Sequence, residues 1–363
     1  MTALPQIQYF LGANAPTGFY SLYDHLLPPE EARAIYILKG GPGCGKSTLM
    51  RQAAARLEEA GHPVEYILCS GDPASLDAIL VPGLGAAIVD GTAPHVIEPK
   101  YPGAVERYVN MGACYDTAAL WPLRREIMDL MAAYKGCYTR AYRILGAAGE
   151  ILEEQRAAMA SAGLDRKLAK RAQSILSREF PRRKGVPAGR VKRRFLGAVT
   201  CRGAMTLYDS ALDQCPRIYQ LMDPHGLAHG LLAPLLEGAA AAGYDVVACP
   251  DPMAPHLLAH LLVPELGLAF LSRAGELAPP GGKPYRRIRL EDAAGSELPR
   301  RNRPRLRFAK KVSAALLEEG VSALAQAKAL HDQLELVYNP HVDFGLVSRI
   351  SQELAEEILS LQP

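Results

Sequence analysis

Gly40-Gly41-Pro42-Gly43-Cys44-Gly45-Lys46-Ser47-Thr48 fills every fixed position of the pattern G-x-x-x-x-G-K-[ST]. A short apolar stretch, Ala34-Ile35-Tyr36-Ile37-Leu38, precedes it and predicts a strand. After it, Leu49, Met50, Ala53, Ala54 and Leu57 recur at helical spacing from Ser47 to Ala60. A glycine-rich turn between a strand and a helix lets successive backbone N–H groups surround a phosphate, and the positive end of the new helix faces the same anion. In such a loop Lys46 reaches the β- and γ-phosphates, and the Ser47 hydroxyl ligates Mg²⁺. Gly40, Gly41, Pro42, Gly43, Cys44, Gly45, Lys46, Ser47 and Thr48 are therefore the expected nucleotide-binding residues, with ATP and Mg²⁺ as the expected ligands.

The same chain carries a second, altered copy. Phe10-Leu11-Gly12-Ala13 and Leu22-Tyr23-Asp24 recur as Phe195-Leu196-Gly197-Ala198 and Leu207-Tyr208-Asp209, both at an offset of 185 (195 − 10; 207 − 22). Ile35-Tyr36 returns as Ile218-Tyr219, and Val81-Pro82 as Val263-Pro264. Ordered matches with small drifts in offset mark a tandem duplication. Carrying the offset of 183 (218 − 35) across the loop aligns Lys46 with His229 and Ser47 with Gly230, which predicts that the second copy has lost its phosphate lysine and magnesium hydroxyl.

The 363 residues suffice for two domains, and 49% hydrophobic with 22% charged residues is a globular composition. Seven cysteines without a C-x-x-C pair suit a reducing compartment, so a cytoplasmic location is expected. Met1–Phe10 lacks a basic and apolar leader pattern, and Pro234, Glu237, Pro264 and Glu265 interrupt the most apolar stretches, so no membrane span is expected. The net charge of +3 and the scarcity of aromatics among the basic runs (Phe180 alone in Arg178–Arg194, Phe308 alone in Arg286–Lys311) argue for solvated linkers over a nucleic-acid surface.

Alternating strands and helices predict two mostly parallel sheets. Each repeat is read with a short helix after its second strand, Ala74–Ile79 in the first and Leu257–Leu262 in the second. A helical pattern from Ala104 to about Phe180, and another from Val312 to Leu361 broken at Tyr338-Asn339-Pro340, give each repeat a helical appendage. The expected division is residues 1–185 and 186–363, with Pro181–Arg190 as the connection.

Ala86-Ala87-Ile88-Val89-Asp90 ends an apolar strand on a carboxylate suited to hold Mg²⁺, making Asp90, with Lys46, a candidate catalytic residue and, with Ser47, a metal-site residue. At an offset of 182, Ser272 stands where Asp90 does, so the carboxylate is absent from the copy that also lost the lysine. Gly91 follows Asp90, and the acidic neighbour of many rapid ATPases is missing. Asp72, Asp77, His95 and Glu98 are the candidates for polarising water, and Cys44, beside Lys46 at a helix start, is a candidate reactive thiol.

The Gly40–Thr48 loop, Cys69-Ser70-Gly71-Asp72-Pro73-Ala74-Ser75-Leu76-Asp77, and above all Asp90-Gly91-Thr92-Ala93-Pro94-His95 resemble an uncharacterised bacterial family of tandem P-loop ATPases. Pro99-Lys100-Tyr101-Pro102-Gly103 and Lys328-Ala329-Leu330-His331-Asp332 share the resemblance, which extends over nearly the whole chain. It implies two tandem P-loop NTPase-like α/β domains and ATP binding, without naming an acceptor or a protein partner. The expected activity is a slow Mg-dependent ATPase or phosphotransferase with a structural or regulatory second repeat. A non-catalytic ATP-dependent switch and a small-molecule kinase are the alternatives.

Overall fold

Ala34–Lys39 (β4) is apolar on both faces and its first five residues are buried, as a central strand covered by helices must be. The computed structural model that places it describes residues 6–273 and 284–361; of the opening stretch read for a leader, residues 1–5 lie outside these. The first repeat runs β1 (Ile7–Tyr9), β2 (Gly12–Ala15), β3 (Gly18–Ser21), β4, α1 (Lys46–Glu59), β5 (Glu65–Leu68), β6 (Leu76–Val81), β7 (Ala86–Asp90) and β8 (Glu106–Asn110). Helices α2 (Thr117–Leu120), α3 (Arg124–Met159) and α4 (Ala162–Glu179) follow. The second repeats the series: β9 (Val191–Arg193), β10 (Gly197–Thr200), β11 (Gly203–Thr206), α5 (Tyr208–Gln214), β12 (Arg217–Met222), α6 (Ala228–Ala241), β13 (Val246–Asp251), β14 (Ala254–Val263), β15 (Leu268–Arg273) and β16 (Arg286–Arg289). It closes with α7 (Glu297–Arg301), α8 (Arg303–Tyr338) and α9 (Phe344–Ser360).

The six-stranded sheets have the orders β1-β5-β6-β7-β4-β8 and β9-β13-β14-β15-β12-β16, which are the same order in equivalent strands. The duplication legible in the sequence is thus repeated in the topology. Both sheets are mixed, not mostly parallel as the sequence suggested. β6 runs antiparallel to β5 and β7, and β14 antiparallel to β13 and β15. These two strands occupy the segments read as short helices. The reason is length and burial: Leu76–Val81 is a six-residue run between Pro73 and Pro82 and is buried on both faces. Periodicity cannot separate such a run from one face of a helix. The helical reading from Ala104 is corrected likewise, because Glu106–Asn110 is an edge strand beside β4.

The basic runs are not solvated linkers throughout. Lys192 and Arg193 belong to β9, Arg286, Arg287 and Arg289 to β16, and Arg303 onwards to α8. Arg194 is 1% exposed. Its guanidinium donates to a Glu65 carboxylate oxygen and to the His25 and Leu26 carbonyls, tying the start of the second repeat to β5 of the first. Among the described residues, no helix is long and apolar enough to cross a membrane.

The repeats meet about a local pseudo-two-fold axis. Phe10 and Phe195, which are equivalent by the 185 offset, exchange both backbone hydrogen bonds at 2.9 Å. Reciprocal contact between equivalent residues is what an isologous interface requires. The two 36-residue helices α3 and α8 pack antiparallel across the same axis, with Arg140 on Glu319 and Glu154 on Arg305. At their crossing, a Cβ on Gly320 would lie 2.9 Å from Leu145, so the glycine permits the close approach.

The last helix of each appendage crosses to the other repeat. α4 buries Leu164, Leu168, Ala172 and Ile175 in a core shared with Leu231, Leu232 and Leu235 of α6. α9 buries Val347, Leu354, Ala355 and Ile358 against the core of α1, and Ser351 donates to the Leu49 carbonyl at 2.9 Å. Each loop-bearing helix is therefore covered by a helix from the opposite half of the chain.

Candidate functional site

The loop Gly40–Gly45 joins β4 to α1. Gly43 and Gly45 have φ of 70° and 81°, in the left-handed region that glycine adopts at no steric cost. The Lys46 ammonium folds over the loop, donating to the Gly40 and Gly41 carbonyls at 2.8 Å, and stands 3.5 Å from Asp90 Oδ2. Asp90 ends β7, the strand directly beside β4, where Leu38 is paired with it. Its other oxygen accepts from the backbone N–H and hydroxyl of Thr92. Ser47 Oγ accepts the Leu76 N–H at 3.0 Å. Lys46 and Asp90 thus meet at the ends of the neighbouring strands β4 and β7, with Ser47 the next residue of α1.

A wall that sequence reading missed comes from the far end of the chain. A Cβ added to Gly43 would lie within 3.4 Å of Asn339, Tyr338 and Glu335, and one on Gly45 would meet Val347 and Phe344. With its amide oriented to satisfy both groups, Asn339 donates to the Gly43 and Glu335 carbonyls. Tyr115 donates to the Pro42 carbonyl at 2.8 Å and packs against Tyr338. The only sequence signal was the Tyr338-Asn339-Pro340 turn, which gave no hint of its destination.

Cys44 is 1% exposed, and its thiol faces Gly41 and the core beside Met111. It can serve a ligand through its backbone, whereas a reactive thiol needs exposure. Among the candidate water-polarising groups, Asp72 pairs with Lys328 at 3.2 Å and Glu98 with Lys39 at 3.0 Å. Asp77 and His95 come together instead. His95 Nε2 lies 3.4 Å from Asp77 Oδ1, Tyr23 donates to Asp77 Oδ2 at 2.9 Å, and all three side chains are buried. Burial pushes the Asp77 carboxyl up, but the charge and hydrogen bond of His95 and the hydrogen bonds from Tyr23 and Cys69 bring it below its ordinary value. For His95, burial works downward and is more than offset by Asp77, so its imidazole titrates higher than usual. Donor atoms of Cys69, Asp77 and His95 lie within 4.8 Å of one another. Burial holds the Cys69 thiol well above its usual pKa, and Asp77 is already engaged by His95 and Tyr23, so the trio reads as a hydrogen-bonded network.

In the second repeat the connection between β12 and α6 spans residues 223–227, one shorter than 40–45. Gly226 keeps the left-handed turn of Gly43, with φ of 71°. The missing residue shifts the helix by one position and corrects the alignment: Leu258 N–H bonds His229 Nδ1 at 3.2 Å as Leu76 N–H bonds Ser47. His229 therefore occupies the place of Ser47, and Ala228 that of Lys46. The Asp223 carboxylate accepts the Leu227 and Ala228 N–H groups at 2.7 and 2.8 Å. An acidic side chain of the protein itself occupies the helix start where a phosphate would bind.

A family model described as Nephrocystin 3, N-terminal, matches residues 22–172. The likeness includes the strand–loop–helix unit with Lys46, Ser47 and Asp90, as well as Asp77 and His95, and ends before the second repeat. No curated protein and no solved structure matches the chain.

Proposed function

We propose that the first repeat binds Mg-ATP and turns it over slowly, as an ATPase or a phosphotransferase, while the second repeat serves as scaffold or regulator. The observation that carries this reading is the convergence of Lys46 and Asp90, 3.5 Å apart, across a complete phosphate-loop sequence. Ser47 and Asp90 would hold Mg²⁺, which supplies positive charge to neutralise the phosphates. Lys46 would exchange its loop carbonyls for phosphate oxygens, and the N–H groups of Gly43–Ser47 would line the anion. A self-capped helix start at Asp223 and the residues Ala228, His229 and Ser272 support one nucleotide per chain.

One observation also favours a switch. The phosphate loop is packed beneath Glu335, Tyr338, Asn339 and Phe344 of the C-terminal helices, so nucleotide occupancy bears directly on how they dock. Nucleotide binding followed by phosphate release tests both. Binding with turnover supports the enzyme, and tight binding without phosphate release supports the switch.

A further inference from the structure

We infer that His95 is a catalytic residue of the first repeat: it orients the water that attacks the γ-phosphorus and takes that water's proton on Nδ1, held in place by Asp77. This inference rests on the hydrolase reading above.

Placement comes first. Leu76, next to Asp77 on β6, donates its N–H to Ser47 Oγ, and Ala78 on the other side is paired with Val89, the residue before Asp90. Asp77 is therefore flanked by the residue bonded to Ser47 and by the residue paired with the neighbour of Asp90. His95 rides on the chain that leaves β7 after Asp90, and this loop is pinned. Lys39 donates to the Gly91 and Ile97 carbonyls at 3.0 and 2.9 Å, and His95 N–H bonds the Thr92 carbonyl at 2.9 Å.

The second observation is chemical. His95 is 7% exposed, one ring nitrogen is engaged with Asp77, and its Nδ1 is buried with no hydrogen-bond partner. Buried polar atoms without a partner are rare and destabilising when left so. A nitrogen left in this state, on a ring near enough to Asp90 and Lys46 to feel their charges, is suited to a water that arrives with the nucleotide. With Asp77 holding Nε2–H, Nδ1 carries the lone pair and accepts a proton. Phe19 and Tyr23 flank the ring at 5.0 and 5.1 Å between centroids and restrict its rotation.

The step balances without a further reactant. The water oxygen bonds to the γ-phosphorus as the bond to the β–γ bridging oxygen breaks. The nucleoside diphosphate leaves with that electron pair, and the water proton passes to Nδ1 and then to solvent. The two repeats offer an internal comparison. At the 182 offset Ala259 replaces Asp77, and no histidine occurs from Ser272 to Arg286. The dyad is absent from the copy that also lacks the counterparts of Lys46 and Asp90.

The test measures Mg-ATP affinity and phosphate release separately for the full chain, Lys46→Ala, His95→Leu and Asp77→Asn/His95→Leu. The double variant removes the buried charge that His95→Leu alone would strand, so one of the two stays folded for assay. The expected result is a fall in kcat of roughly 10²–10⁴-fold with nucleotide affinity within about threefold of the parent. Turnover near the parent value in a folded variant overturns the inference and leaves the hydrolase reading intact. Equal losses of affinity and turnover also overturn it, assigning the pair a purely structural role. A parent chain that binds Mg-ATP but releases no phosphate overturns the role of His95 in favour of the switch. A parent that binds no Mg-ATP removes the hydrolase reading itself.

Discussion

Lys46 spends its three donors on the loop's own carbonyls and on the neighbourhood of Asp90, so the site is preorganised around a positive charge. Ser47 has a narrower task. Replacing it with alanine should lower Mg-ATP affinity at least tenfold while barely changing the weaker binding of metal-free ATP, as a fluorescent nucleotide titrated with and without Mg²⁺ would report. Similar losses in both conditions would remove Ser47 from the metal site. At this scale the strand–loop–helix unit was legible, because its glycines, Lys46 and Ser47 are written in consecutive residues, and the structure brings Lys46 to 3.5 Å from Asp90. The degenerate copy was less so: one residue deleted between Asp223 and Leu227 moved the lysine position from His229 to Ala228, and only the matching bonds to Leu76 and Leu258 reveal the shift. It follows that Ala228→Lys alone should not create a second nucleotide site, since Asp223 still occupies the helix N–H groups. Calorimetry showing a second Mg-ATP bound to that variant would refute the self-capping account.

The elements explain what single residues cannot. Leu49, Met50, Ala53, Ala54 and Leu57 showed in advance which face of α1 is buried. Val347, Leu354, Ala355 and Ile358 give α9 an equally clear apolar face. Amphipathic periodicity says that a face is covered but not by what, so the crossing of α9 onto α1 and α4 onto α6 stayed hidden. The strands β6 and β14 were misread for a related reason, since short apolar runs carry no unambiguous period. The crossing makes a prediction. Leu354→Ala should cost about 2–5 kcal/mol by opening a cavity between α9 and α1, whereas Leu359→Ala, at a position 37% exposed, should change stability by less than about 0.5 kcal/mol. Denaturant unfolding of both variants checks this, and equal effects would place α9 elsewhere. The Leu354 variant should also bind nucleotide more weakly, because α9 reaches Gly45 through Val347.

For the whole molecule, the duplication was legible from Phe10 and Phe195 in the sequence, but their mutual hydrogen bonding, which sets the two repeats about one axis, was not. Arg194 is the buried clasp of that arrangement. Breaking its pair with Glu65 by Arg194→Met should cost about 3–5 kcal/mol, since it leaves the buried carboxylate with only the half-exposed Lys192, 3.3 Å away, as a partner. Burial pushes Glu65 up, but Arg194 and Lys192 more than offset it and hold the carboxyl below its ordinary 4.5. A carboxylate whose pKa is lowered on folding contributes stability above its unfolded value and loses it as pH falls through the folded one. The gap between parent and variant should therefore be full near neutrality and narrow below about pH 4.5. His95 has the opposite sign: its pKa is raised on folding, so its share is complete below its ordinary 6.5 and is lost as pH rises through the folded value. The central claim is one functional Mg-ATP site per chain, built around Lys46 in a molecule whose second loop has its helix N–H groups capped by Asp223. Isothermal titration of Mg-ATP into the parent chain and into Lys46→Ala tests it most directly. The account predicts one nucleotide per parent chain and none retained by Lys46→Ala. Two nucleotides per parent chain, or one still bound when Lys46 is gone, would contradict it.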